Sequence, residues 1–294
     1  MGAADVVPGV SGGTIAFITG IYEELVHSIK SINLKAIRYF FTGKWKSFWD
    51  QVNGSFLLAV FAGIAISVVS FARILKGLLE DESSEILVWA FFFGLILAST
   101  WVVSRQVKKW SLGVVVAFVN SIALAYYITS ITPASTTEAT WFILLSGALA
   151  ICAMILPGIS GSFILLLLGK YEFALHAVTE RVWGDLLLLG AGALGGLILF
   201  SNFLSWLLKK YHEVTIAVMV GFMIGSLNKV WPWKSTLSTV MVEGKEKELL
   251  QRNRWPSLQD QGDQVLRALL FFLLGTGLIL TVELLLARNR KRRD

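Results

Sequence analysis

Pro8-Gly9-Val10-Ser11-Gly12-Gly13-Thr14, followed by Gly20-Ile21-Tyr22-Glu23, returns later as Pro157-Gly158-Ile159-Ser160-Gly161-Ser162-Phe163, followed by Gly169-Lys170-Tyr171-Glu172. The offset is 149 residues throughout. Over twenty ungapped positions nine residues are identical: Pro8, Gly9, Ser11, Gly12, Ile15, Gly20, Tyr22, Glu23 and His27. Chance gives about one or two in a chain this rich in Gly and Leu, so the stretch reads as a duplicated structural unit.

Both copies lie in apolar surroundings. Hydrophobic residues make up 55% of the chain and charged residues 16%, with a mean hydropathy of +0.68. A soluble domain carries about 25% charged residues. The expected fold class is therefore an all-α polytopic membrane protein. The formal charge of +6 could suggest nucleic acid. The basic residues instead fall in short loops between apolar runs, which is the pattern of topology signals. A single cysteine, Cys152, excludes an intramolecular disulfide, and no metal-ligand spacing surrounds it. No metal or cofactor is expected.

Outward from the first motif, residues 30–50 are basic and aromatic, and residues 54–75 form an apolar run of 22 residues. As a helix that run is about 33 Å long, enough to cross a bilayer. An acidic loop with Glu80, Asp81, Glu82 and Glu85 is expected next, then spans over 86–104 and 110–131. Residues 139–156 run directly into the second motif. Spans follow over 183–208, 214–230 and 264–287, the second of them short and punctuated by Gly221 and Gly225. Gly221, Gly225 and Ser226 echo Gly94 and Ser99, and both helices are read as close-packing. Residues 228–263 read as an extracytoplasmic loop or small cap. Glu283, in the last span, is expected to face the interior and pair with a base.

The basic C-terminus is expected in the cytoplasm. Stepping back through the spans then gives inner segments with 15 Lys/Arg against three acids, and outer segments with 11 against 13. This assignment requires 131–140 and 170–185 to lie on the same outer side. The stretch between them must then be a re-entrant hairpin, 139–178, that turns at Pro157-Gly158. By the same logic residues 1–29 dip in from the cytoplasm and turn at Pro8. Three spans separate the hairpins, so the two repeats, 1–131 and 139–287, are inverted. Interrupted helices meeting near the midplane in inverted repeats are a transporter architecture. The second hairpin has an entering arm, whereas the first has only residues 1–7 before its turn, so an upstream arm is expected to be missing.

At each turn a half-helix starts deep in the membrane, at Ser11 and at Ser160. Its first amide groups lack helical partners, and in lipid an unsatisfied amide is costly. Gly9, Gly12, Gly13, Gly158 and Gly161 let an oxyanion approach the backbone. Ser11, Thr14, Ser160 and Ser162 add hydroxyls. The set suits a phosphate or a carboxylate. The competing reading is that Ser11 and Ser160 only cap their helices while the glycines allow close packing. Asp5, Glu23 and Glu172 are candidates for proton coupling; the last two could equally cap the ends of the hairpins. His27 and His176 also match but sit apart from other ligand types.

These residues resemble a known family. Ala4-Asp5-Val6-Val7-Pro8-Gly9-Val10-Ser11-Gly12-Gly13-Thr14 with Gly20-Ile21-Tyr22-Glu23 is similar to the opening signature of the bacterial polyprenyl-phosphate transporters, long listed as a domain of unknown function. Leu156-Pro157-Gly158-Ile159-Ser160-Gly161-Ser162-Phe163 and Gly225-Ser226-Leu227-Asn228-Lys229-Val230-Trp231-Pro232-Trp233 resemble its later signatures. The resemblance covers nearly the whole chain. It implies a flippase that returns undecaprenyl phosphate, the carrier lipid of cell-wall precursors, from the outer to the cytoplasmic leaflet. The implied partners are that lipid and the bilayer of a bacterial cytoplasmic membrane, with no nucleic acid; assembly as a homo-oligomer is left open.

Two other classes compete. Undecaprenyl-pyrophosphate phosphatases are similar in carrying Pro-Gly-x-Ser turns, but with an Arg after the Ser, where Gly12 and Gly161 stand here. Without that cation phosphoryl transfer loses its main electrostatic help. A transporter of a small soluble anion would need an aqueous path past the hairpins.

Overall fold

Ser11 and Ser160, each in extended conformation, start a short helix, because each hydroxyl accepts a hydrogen bond from an amide of the first turn. The computed structural model describes residues 1–2, 11–131, 136–137, 139–242, 245–257 and 264–290. Pro8, Gly9 and Asp5 lie outside the described residues.

The first motif folds as α1 (Gly12–Ile18) and α2 (Tyr22–Lys30). Two short helices follow, α3 (Leu34–Phe41) and α4 (Trp45–Gln51), with Leu34, Phe41 and Trp45 exposed, as suits an interfacial segment. Then come α5 (Gly54–Glu80), α6 (Glu82–Ser104) and α7 (Leu112–Ser130). The second motif has its arm α8 (Thr140–Ile155), then α9 (Gly161–Leu167) and α10 (Tyr171–Thr179). The chain continues through α11 (Trp183–Lys210) and α12 (His212–Val230). An antiparallel hairpin of β1 (Lys234–Val242) and β2 (Lys245–Asn253) precedes α13 (Val265–Arg290). Among the described residues six helices are long and apolar enough to cross a membrane: α5, α6, α7, α11, α12 and α13.

The segment 1–29 therefore contains a helical break, and so does 139–178. The second motif is not one straight helix: α9 and α10 meet at 116°. The break has the same chemistry in both copies. Gly20 and Gly169 adopt φ of +75° and +61°, the left-handed region that suits glycine. Gly20 N–H donates to Phe17 and Ile21 N–H to Ala16; Gly169 N–H donates to Leu166 and Lys170 N–H to Leu165. This is the same helix-ending motif twice, and it explains why the two glycines match.

Two helices form the centre. The apolar stretch of α6 is 67% buried and that of α12 is 56% buried, against 12–17% for the other four spans. α6 and α12 touch each other; α13 packs on α6 and α7 on α12. Glycines set these close crossings. A methyl at Gly94 would strike the Phe272 carbonyl and one at Gly275 the Phe91 carbonyl. On the other pair, a methyl at Gly221 or Gly225 would meet the carbonyl of Phe118 at 2.7 Å or of Ile122 at 2.6 Å. Small residues let backbones approach where lipid supplies no hydrophobic drive. The close-packing reading of Gly94, Gly221 and Gly225 is thus correct. α8 lies on α11, where Gly147 and Gly192 face the Leu189 and Leu144 carbonyls. Gly2, in helical conformation, is buried against Ile64 of α5.

Three expectations need correction. The acidic loop expected with Glu80, Asp81, Glu82 and Glu85 shrinks to one residue, Asp81, because α5 runs to Glu80 and α6 starts at Glu82. Its helix formers Lys76, Leu78, Leu79 and Glu80 extend the helix past the apolar run. Asp81 caps α6, and hydrogen bonds from Ser83 and Ser84 hold its carboxyl below the usual carboxylate range. The fold is the all-α polytopic one expected, but the segment 228–263 is not only loop. It holds the β1–β2 hairpin, anchored by Trp231 Nε1 donating to the Arg254 carbonyl at 2.9 Å and by edge-to-face contacts of Trp231 with Trp255 and Phe93. Glu283 is half-buried, with no base paired to it among the described residues.

Candidate functional site

The last turn of α8 leaves three carbonyls, Met154, Ile155 and Leu156, at a helix end where no helical donor can reach them. The first motif supplies the donors. Ser11 Oγ lies 3.2 Å from both the Met154 and the Leu156 carbonyl oxygens, and the Tyr22 hydroxyl donates to Ile155 at 3.0 Å. The Gly13 α-carbon presses on the same strip, since a methyl there would lie 2.7 Å from the Ile155 oxygen. Ser11 Oγ also accepts from Gly13 N–H at 3.1 Å. The two turns, 149 residues apart in sequence, thus interlock.

On the second turn, Gly158 adopts φ +95° with its α-carbon against the α12 backbone; a methyl there would be 2.9 Å from Met223 Cα. Met223 is fully buried and shares a cluster with Ile18 of α1. Ser160 Oγ accepts from Phe163 N–H at 3.3 Å and lies 3.3 Å from Ser162 Oγ. Both serines therefore cap their helices, as the competing reading expected, but the two sites are differently exposed. Ser11, Gly12, Gly13 and Thr14 are buried. Pro157, Gly158 and Ser160 are buried too, whereas Gly161 is half-buried and Ser162 is exposed. Thr14 Oγ1 is buried with no hydrogen-bond partner among the described residues. An orphaned hydroxyl in an apolar interior costs about 1–3 kcal/mol, so a ligand oxygen there would be favoured.

The acids fall outside this junction. Glu23 and Glu172 are exposed in the first turns of α2 and α10, where a carboxylate favours the helix dipole. Glu23 lies 3.5 Å from His212 Nε2 at the start of α12. His27 is exposed on the wall of a cavity of about 340 Å³ that also takes in Glu23, Glu24, Asn53, Ser205 and Lys209. His176 is exposed as well. An apolar cavity of about 100 Å³ abuts Gly13, walled by Leu25, Ile29, Ile64, Met154 and Leu197. Among the described residues no three His, Cys, Asp or Glu gather as a metal site.

Two lysines were missed. Lys170, in the second motif, is 2% exposed between the rings of Phe142 and Phe173, each centroid 5.8 Å from Nζ. Lys229 lies in the last turn of α12, which continues to Val230. Its Nζ sits 5.5 Å from the centroid of Phe163, at the second turn. A lysine inside the last turn of an apolar span is the signal that could have found it.

The chain matches the undecaprenyl phosphate translocase-like family over residues 1–247. It is 45% identical over 288 residues to a polyprenyl-phosphate transporter of Vibrio cholerae serotype O1, covering 96% of this chain and 93% of that protein. It is 32% identical over 257 residues to a polyprenyl-phosphate transporter of Staphylococcus aureus, covering 79% of this chain and 83% of that one. No solved structure matches it at a significant level.

Proposed function

The chain belongs to the undecaprenyl phosphate translocase-like family, and from that premise we propose that it carries polyprenyl phosphate across the bacterial cytoplasmic membrane. It is a transporter and not an enzyme. The lipid moves from the outer to the cytoplasmic leaflet, returning the carrier used in peptidoglycan synthesis. The phosphate is the hard part, because an isolated charge in hydrocarbon costs many kcal/mol while the isoprenoid tail crosses freely. A polar site reached alternately from both faces lowers that barrier while the tail stays in lipid.

The single observation that carries this reading is the interlock of the two turns, Ser11 and Tyr22 on the carbonyls of Met154, Ile155 and Leu156. It supports one shared site rather than two separate helix caps. The phosphate is held by Gly9, Ser11, Gly12, Gly13 and Thr14 from one turn and by Gly158, Ser160, Gly161 and Ser162 from the other. The turns at Pro8 and Pro157 are the tips of inverted re-entrant hairpins. The identical helix endings at Gly20 and Gly169 support that symmetry, as does the swapped pairing of α13 on α6 and α7 on α12. In the form described here Ser11 is committed to α8 while Ser162 is exposed, which supports access from the side of the second turn. With the C-terminus cytoplasmic, that side is the outer one.

The test is transport of a fluorescent polyprenyl phosphate by the purified protein in vesicles, with inorganic phosphate as competitor. The expected result is protein-dependent movement that inorganic phosphate does not inhibit. No movement above empty vesicles overturns the reading, and full competition favours a soluble-anion transporter. Proton coupling through Asp5, Glu23 or Glu172 is a separate step of the proposal. Equal rates with and without a pH gradient would remove it.

A further inference from the structure

Lys229 lies in a 19-residue apolar helix whose single acid, Glu213, stands at the opposite end. No carboxylate pairs with it among the described residues. The Phe163 ring under its ammonium is worth about 0.5–2 kcal/mol, and losing hydration costs a lysine several. A half-buried cation so placed is therefore a poor structural element and a ready receptor for an anion. Its surroundings are built for one. Phe163 is the residue whose amide is capped by Ser160, and Ser160 Oγ is 3.3 Å from the exposed Ser162 hydroxyl. Among the described residues the first motif offers no counterpart; Lys30 is turned to Ser205 Oγ at 3.2 Å on α11.

We propose that Lys229 is the residue that captures the phosphate head group of a polyprenyl phosphate at the second turn, together with the hydroxyls of Ser160 and Ser162. This rests on the lipid-phosphate reading above. Capture is electrostatic: the ammonium neutralises one charge of the phosphate where water is scarce, and the hydroxyls orient its oxygens. The alcohol of the same chain length has no charge for Lys229 to meet, so the site discriminates phosphate from alcohol.

The test uses the full chain in lipid nanodiscs with farnesyl phosphate and farnesol as probes, read by affinity and by thermal unfolding. Lys229→Met is expected to weaken farnesyl phosphate binding about tenfold to a hundredfold, the range for a charged hydrogen bond. Lys229→Arg is expected to stay within about threefold of wild type, since the charge is kept. Without ligand, Lys229→Met is expected to melt at or above the wild-type temperature, because an unpaired buried charge has gone. Wild-type binding of farnesyl phosphate with undiminished binding by Lys229→Met overturns the proposal alone. So does a lower melting temperature of ligand-free Lys229→Met, which would mark a structural lysine. Equal affinity of wild type for farnesyl phosphate and farnesol overturns both this proposal and the function on which it rests.

Discussion

The two turns share nine of twenty residues and end their helices identically, yet they spend their polar groups differently. Ser11 faces the frayed end of α8 and is held on both sides, accepting from Gly13 and donating to Met154 or Leu156. Ser160 caps Phe163, lies beside Ser162, and meets no foreign carbonyl among the described residues. Around Ser11 the first turn is sealed; around Ser160 the second is partly open. A repeat therefore fixes what a turn can bind, while the neighbouring helix end decides whether it is free to do so. If the protein alternates between two forms, Ser11 must leave α8 when the first turn opens.

The largest expected effect would break the second turn itself. Gly158→Val places a β-branched residue at φ +95° and drives it into the Met223 backbone. A left-handed non-glycine costs about 1–3 kcal/mol and overpacking a similar amount. The variant is expected to lose most folded protein on size-exclusion chromatography; a wild-type elution profile and melting temperature would contradict the geometry drawn for this turn.

Ser11→Ala and Ser160→Ala measure the difference between the turns directly. Ser160→Ala removes a cap, worth about 1 kcal/mol. Ser11→Ala removes a cap and also leaves α8 carbonyls without their donor, for about 2–3 kcal/mol in total. Thermal unfolding in detergent is expected to rank Ser11→Ala below Ser160→Ala. Equal melting temperatures would mean that the tie to α8 contributes nothing. Tyr22→Phe isolates the other strand of that tie, with an expected loss of about 1 kcal/mol.

Much of this was legible beforehand. Pro157 and Gly158 located the interruption between α8 and α9, because few residues can break a helix in lipid, whereas the matching turn at Pro8 lies outside the described residues. Gly94, Gly221 and Gly225 announced close crossings. The limits of α5 were not legible, because Lys76 and Glu80 end the apolar run yet are good helix formers. The β1 strand was hidden in a segment judged by its polarity, although Leu237, Thr239, Val240, Met241 and Val242 favour a strand. The tie of Ser11 to α8 joins residues 143 and 145 apart, and no local pattern encodes such a contact. Lys229 is hidden for a related reason: residues 228–230 belong both to the span expected over 214–230 and to the polar segment over 228–263, and only the contact with Phe163 singles the lysine out.

The smallest expected effect concerns the acids that match across the repeat. Glu23 and His212 are 66% and 42% exposed, and they join α2 to the start of α12 at 3.5 Å. Exposed pairs are worth about 0–1 kcal/mol. Glu172, at the matched position, has no such partner among the described residues. Glu23→Gln and Glu172→Gln should therefore both melt within about 1 kcal/mol of wild type, with Glu23→Gln the lower of the two. Their transport rates carry the sharper information. If either acid carries the coupling proton, its glutamine variant keeps downhill exchange but no longer responds to a pH gradient. If both variants respond as wild type does, the match between Glu23 and Glu172 reflects only the favourable placing of a carboxylate at the start of a helix, and coupling must be sought elsewhere along the chain.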